Sequence, residues 1–168
     1  DGIDTIFGAT GNDNIYTGAG IGDVALGESG TDTLYGNFDG DFLWGGNTVE
    51  DVETDWINFA TTTAGVILDL GTTVTVGTGI YSGLYSKALI VDATPLDNTD
   101  NTQFDYIRQI EHIIGSSGDD TFTGNSLQNS ILGGDGVDII YYTRGNDYYN
   151  GGNHTISATG TQGSTAPY

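Results

Sequence analysis

The 168-residue chain has no cysteine and no methionine, two prolines, and three basic residues against 23 acidic ones. Without cysteine there is no disulfide framework, no thiolate-bound zinc and no thiol nucleophile. Lys87, Arg108 and Arg144 are the whole cationic inventory, and the formal net charge is −20. A surface of that sign repels phosphate and excludes nucleic acid as a partner. No apolar run reaches the ~18 residues a membrane-spanning helix needs, so no segment reads as membrane-inserting. Motifs of catalysis are missing too: there is no H-E-x-x-H, no G-x-S-x-G and no phosphate-binding G-x-x-x-x-G-K-[ST]. His112 sits in an apolar run and reads as structural, while His154 lies in a polar tail. No catalytic residue is assigned, and the chain reads as non-enzymatic.

Glycine is abundant, with 28 residues, against a usual share of about 7%. Repulsion among the acids and the entropic cost of ordering glycine both oppose compaction. A divalent cation held by carboxylate and backbone oxygens would relieve the first and offset the second. The acids are also periodic. Asp4, Asp13, Asp23, Asp32 and Asp41 follow one another at steps of 9, 10, 9 and 9. Two residues after each stands an apolar side chain: Ile6, Ile15, Ala25, Leu34 and Leu43. A second block places Asp120, Asn129, Asp138 and Asp147 nine apart, followed at the same offset by Phe122, Ile131, Ile140 and Tyr149. Glycines precede most of these positions by two, as at Gly2, Gly11, Gly30, Gly118, Gly136 and Gly145, and at Gly20 if Gly22 is the inserted residue. Generic turns do not keep such a phase.

The segments Gly8-Ala9-Thr10-Gly11-Asn12-Asp13-Asn14-Ile15-Tyr16 and Gly133-Gly134-Asp135-Gly136-Val137-Asp138-Ile139-Ile140-Tyr141 fit G-G-x-G-x-D-x-U-x, with U a large apolar residue. With these repeats the chain resembles the RTX (hemolysin-type) calcium-binding nonapeptide family. The resemblance covers about half the chain and implies an all-β fold, a parallel β-roll or β-solenoid with calcium-binding turns. Two nonapeptides would form one coil, so alternate turns stack on the same edge. Calcium would sit between stacked turns, held by carboxylates and turn carbonyls. The implied metal residues are Asp4, Asp13, Asp23, Asp32, Asp41, Asp120, Asn129, Asp138 and Asp147. Their pairings are Asp4–Asp23, Asp23–Asp41, Asp13–Asp32, Asp120–Asp138 and Asn129–Asp147, for about five calcium ions. The Asn129 site is expected to be weaker because an amide carries no charge. The turn before Asp23, with its ten-residue step, is expected to be distorted.

Four regions follow. Residues 1–47 form a first repeat block and 115–152 a second. Residues 48–114 are a β-rich insertion without calcium turns that continues the solenoid or packs on it, and 153–168 form a polar, flexible tail. At Glu50 the phase breaks, since no glycine precedes it by two. Strand signals in the insertion fall at 55–59, 66–70, 73–76 and 88–91, and the apolar spacing of 106–114 fits a strand or a short ordered turn better than a helix. Asp92 to Asp105, with Asp97 and Asp100, reads as a polar surface loop; the alternative is another calcium site, against which stands its lack of the glycine and closing glutamate of an EF-hand. The run Ile110–Ser116 resembles segments that join RTX blocks in exported exoproteins and adhesins.

The expected function is a calcium-binding structural module of a large secreted bacterial protein, monomeric, extracellular or at the cell surface, and exported by type I secretion. The chain begins at Asp1 inside a repeat and reads as a piece of a longer protein. An alternative is the C-terminal domain of a secreted protease, lipase or polysaccharide epimerase. A further alternative is an adhesin module that binds cell-surface glycan through Tyr81, Tyr85, Tyr141, Tyr142, Tyr148 or Tyr149. Ice binding through Thr61–Thr63 and Thr72–Thr73 lacks the required register.

Overall fold

The structure, a computed structural model, describes residues 2–46, 54–76, 83–91, 104–141, 143–152 and 157–159. Among them every regular element is a β-strand. The first block supplies β1 (Thr5–Phe7), β2 (Asn14–Tyr16), β3 (Val24–Glu28), β4 (Thr33–Tyr35) and β5 (Phe42–Gly46). The insertion supplies β6 (Trp56–Asn58), β7 (Gly65–Asp69), β8 (Val74–Val76), β9 (Gly83–Val91), β10 (Phe104–Arg108) and β11 (His112–Ile114). The second block supplies β12 (Thr121–Thr123), β13 (Ser130–Leu132), β14 (Ile139–Tyr141) and β15 (Tyr148–Asn150), and β16 (Ser157–Thr159) follows. Most are three residues long because the motif allots three residues, x-U-x, between turns. Alternation then leaves one inward side chain per strand, as in β4, where Leu34 is buried between half-exposed Thr33 and Tyr35.

The chain passes between two facing sheets, so the fold is an all-β solenoid of about six coils. The smaller sheet runs β15-β13-β11-β6-β4-β2, and every neighbouring pair is parallel. The larger runs β1-β3-β5-β10-β9-β7-β12-β14-β16, with β8 paired to β9. One strand breaks the parallel order. After β6 the chain enters the larger sheet as β7, returns as β9 antiparallel to it, and then lays β10 between β9 and β5. Next, β11 falls beside β6, so the smaller sheet passes through the insertion without interruption.

Inward side chains stack in register: Ile15, Leu34, Ile57, Ile113, Ile131 and Tyr149 in the smaller sheet. In the larger sheet Ile6, Ala25, Leu43 and Ile107 form one stack, and Leu68, Phe122 and Ile140 another. Ala88 of β9 lies between them and is fully buried. Each buried Leu or Ile contributes about 1.5–3 kcal/mol.

Two expectations are corrected. Residues 106–114 are not one element: β10 and β11 lie in different sheets, joined by a corner at Gln109, whose φ is +51°. Apolar spacing alone does not reveal such a corner. Asp105, expected in a surface loop, is a buried residue of β10. Of the tail, residues 157–159 form β16, where the Ile140↔Ala158 register extends the larger sheet, and the rest of 153–168 lies outside the described residues. Glu50, Tyr81, Asp92, Asp97, Asp100, Tyr142 and His154 lie outside the described residues.

Candidate metal centres

Along each edge of the roll the turns are tied by one recurring hydrogen bond. The backbone N–H of a ladder residue donates to the carboxylate of its counterpart one coil further on. On one edge Asp4 donates to Asp23 (2.7 Å), Asp23 to Asp41 (2.8 Å) and Asp41 to Asp105 (3.1 Å). Further along that edge Val66 donates to Asp120 (2.7 Å) and Asp120 to Asp138 (3.0 Å). On the other edge Asp13 donates to Asp32 (2.8 Å), Asp32 to Asp55 (2.8 Å) and Asp55 to Glu111 (3.0 Å). Asn129 donates to Asp147 (2.9 Å). All five pairs named from the sequence are therefore neighbours in space. Asp4 is exposed at the end of its ladder, Asp13 is half-buried, and the other seven are buried. The extra residue before Asp23 does not distort the ladder. Gly18, Gly20 and Gly22, with φ of +88°, +159° and +84°, absorb it.

Where a carboxylate accepts a ladder bond, as at Asp23 and Asp41, it spends one oxygen on it. Oδ2 of Asp13, Asp23 and Asp41 is buried and accepts no hydrogen bond. A carboxylate oxygen removed from water without a donor is costly. Its surroundings are acceptors as well. A β-carbon placed on Gly8 would come within 2.6 Å of the Gly27 carbonyl oxygen and 2.9 Å of Asp13 Oδ2. Glycine is thus required where a turn carbonyl of the next coil and a carboxylate converge; the same clash with carbonyl and carboxylate recurs at Gly27, Gly45 and Gly115. Several anionic and carbonyl oxygens around one small space fit a hard cation with flexible oxygen coordination, which is calcium chemistry. Asp13, Asp23 and Asp41, with the turn carbonyls, are the residues that would hold it.

The ladder uses three acids that the glycine pattern does not mark: Asp55, Asp105 and Glu111. Their signal is the shorter D/E-x-U in Asp55-Trp56-Ile57, Asp105-Tyr106-Ile107 and Glu111-His112-Ile113. Each places an acid at the turn and an apolar residue in the core, as the repeats do. Asp39, Asp41 and Asp105 form a cluster in which one carboxylate oxygen from each lies within 4.8 Å of the others. Burial raises Asp41 to about 7; the Thr17 hydroxyl opposes the shift, and the charges of Asp105 and Asp39 add to it. Burial also raises Asp105 to about 6 against three backbone N–H donors, from Phe38, Asp41 and Asn37.

Not every position is alike. Asp120 is satisfied within the protein: its oxygens accept from Val66 N–H, from Ser116 N–H and from the Ser116 hydroxyl. Burial still raises it to about 6. At Asn129 the side-chain amide donates to the Glu111 carbonyl at 2.9 Å, and its oxygen accepts from Asn125 N–H. Asp147 accepts from the Tyr149 hydroxyl at 2.6 Å. Of the tyrosines considered for sugar stacking, Tyr85 is fully buried against Phe42, Trp44 and Tyr106, which removes it. Tyr141 and Tyr148 are exposed. His112 is structural: its Nδ1 accepts from Ser130 N–H at 2.9 Å, and burial lowers its pKa.

Comparison with known families agrees with this geometry. The family described as RTX calcium-binding nonapeptide repeat (4 copies) matches residues 1–21, 22–47 and 114–149. No curated protein matches the chain. Among the described residues no helix is long and apolar enough to cross a membrane.

Proposed function

From a chain that belongs to the RTX calcium-binding nonapeptide-repeat family, and is thus a calcium-binding β-roll module, we infer a folding switch carried by a larger secreted protein. The observation that carries this is the row of buried carboxylate oxygens at Asp13, Asp23 and Asp41 that lack any hydrogen-bond donor. Such a core is costly to form until a cation binds, so calcium affinity becomes folding free energy. In a low-calcium cytosol the chain stays unfolded and fit for export. Outside, calcium on the order of 10⁻⁴–10⁻³ M drives folding. The stacked pairs Asp4–Asp23, Asp23–Asp41, Asp13–Asp32 and Asp120–Asp138 each hold an ion, and Asn129–Asp147 is the weakest site. The role is structural and the module is monomeric, within an adhesin or exoprotein.

Far-UV circular dichroism of the chelator-stripped chain, titrated with calcium and separately with magnesium, tests the switch. A cooperative coil-to-strand transition with calcium alone supports it. A chain that is already strand-rich in chelator and indifferent to calcium overturns it.

A further inference from the structure

Two strands of the larger sheet have no counterpart in the smaller one. β11 and β13 are hydrogen-bonded neighbours, yet β10 and β12 are held apart by β9 and β7. After β7 the chain goes on to β8 and β9 in the larger sheet instead of crossing to the smaller one. The turn that ends β7 is pinned beside the turn after β12, where Leu70 N–H donates to the Thr123 carbonyl at 2.9 Å. Since β12 pairs with β14, the turn after β14 lies next in the row. These three turns enclose a groove of about 560 Å³, within the roughly 300–1,000 Å³ of small-molecule sites.

The groove is not acidic like the ladder turns. Thr72, Thr123, Asn125 and Thr143 make up most of its polar lining, with one acid, Asp69, and one base, Arg144. Asp69 calls for no cation, because its oxygens accept from Gly71 N–H (2.8 Å) and the Thr72 hydroxyl (2.8 Å). Each of those oxygens keeps a lone pair for a further donor. Asn125 Oδ1 accepts from Leu127 N–H (2.8 Å) and Asn129 Nδ2 (3.3 Å), which fixes the amide and leaves its own Nδ2 hydrogens to donate elsewhere. Arg144 differs from the other cations. Lys87 lies over the Phe104 ring and Arg108 over Trp44, whereas among the described residues nothing pairs with the Arg144 guanidinium. Tyr141, in register with Thr123 on the neighbouring strand and 40% exposed, sets an aromatic ring at the rim.

An apolar ligand gains little from such a lining, and an anionic one meets a molecule of net charge −20. The groove fits a neutral ligand with many hydroxyls and a C–H face. Its hydroxyls can donate to Asp69 and accept from Asn125 and Arg144, while the C–H face lies on Tyr141. We propose that the groove between the turns after β7, β12 and β14 is a binding site for a neutral saccharide, with Asp69, Asn125 and Arg144 as its hydrogen-bonding residues and Tyr141 as its stacking residue. The insertion builds this site together with the second repeat block. No metal ion takes part in it, but its three turns meet only in the folded roll. On the reading of the roll as a calcium switch, calcium therefore controls the site through folding.

The test is amide NMR of the full chain at saturating calcium, titrated with the methyl glycosides of glucose, galactose, mannose and N-acetylglucosamine, and with methyl glucuronide. At least one neutral glycoside is expected to shift the amides of 69–72, 123–126 and 143–144 saturably, and to bind more tightly than the glucuronide. Arg144→Ala should weaken that binding about tenfold, the loss of one hydrogen bond from a charged group. Tyr141→Ala should weaken it as well. Tyr148→Ala, exposed on β15 of the smaller sheet, should bind as the wild type does. The absence of a saturable shift with every neutral glycoside overturns the site. So do shifts centred on Tyr148, tighter binding of the glucuronide, or an Arg144→Ala chain that is folded by its amide spectrum and binds unchanged. A wild-type chain that stays unfolded at saturating calcium fails the roll reading itself, and the groove with it.

Discussion

Whether a buried side chain is satisfied by protein or by metal is decided one atom at a time. Asp13 and Asn129 each donate a backbone N–H to the next ladder residue, and each has its side chain left to place. The aspartate points an anionic oxygen at carbonyls, whereas the asparagine amide donates to the Glu111 carbonyl at 2.9 Å. Asn129 therefore supplies by hydrogen bonding what a cation supplies elsewhere. Converting it to Asn129→Asp removes that donor and places a charge against the Glu111 carbonyl. With too little calcium to fill the new site, the variant should be less stable than the wild type, by about 1–3 kcal/mol for an unsatisfied buried group. At saturating calcium it should bind one more ion. Isothermal titration with parallel denaturant melts measures both quantities; equal ion counts would show that the carbonyl and the new carboxylate do not share a metal.

The same atoms set the pH response. Asp41 lies at about 7 and Asp105 and Asp120 at about 6, all raised chiefly by burial from a reference of 3.8. For a carboxyl raised in the folded state, the protonated form favours folding. That stability is fully present below 3.8 and is lost as pH rises through about 6 to 7. The calcium-free chain should accordingly be more strand-rich at pH 5 than at pH 8 by circular dichroism. Calcium affinity should run the other way, falling as pH drops, because protons and calcium compete for the same oxygens. A calcium-free chain that loses structure on acidification would contradict the burial of these acids.

Among the elements, the strands that carry G-x-D-x-U are visible in the sequence because one pattern specifies both turn and core residue. The turn acid and the inward apolar residue are fixed together, so register follows once the phase is found. In the insertion the glycines are gone and only D-x-U survives, as at Asp55-Trp56-Ile57 and Asp105-Tyr106-Ile107. Those strands were legible, but their place in the ladder was not, because a single acid two residues before an apolar residue is common. The antiparallel insertion of β9 leaves no local mark at all. Its pairing with β10 and β7 is a long-range choice, made by small inward residues, Ser86 and Ala88, that let the strand fit between two stacks. If β10 is a structural part of the roll, Ile107→Ala should behave as a core truncation. Its expected cost is about 2–5 kcal/mol, read as a lower melting temperature at saturating calcium with the ion count unchanged. A loss below about 0.5 kcal/mol, the usual size for a surface substitution, would place β10 outside the core.

For the molecule as a whole, the question is whether calcium acts as a ligand or merely as charge. With a net charge of −20, self-repulsion alone expands the chain, and any counterion would relieve it. Coordination asks for more, because the bare oxygens at Asp13, Asp23 and Asp41 are buried and diffuse ions do not reach them. The two accounts separate in sodium chloride. At 1 M salt the screening length is about 3 Å, so repulsion between exposed acids is largely removed while the buried oxygens gain no partner. Small-angle scattering should then show a chelator-treated chain contracting only in part from the ~43 Å radius of gyration of an unfolded chain of this length. Its dichroism should remain that of coil. Calcium at a few millimolar should instead bring the radius toward the ~15 Å of a compact domain, somewhat above it for an elongated roll, with strand signal appearing in the same transition. Should salt alone produce the strand signal and the small radius together, the acids would be a surface-charge problem and the glycine cradles would owe nothing to a metal.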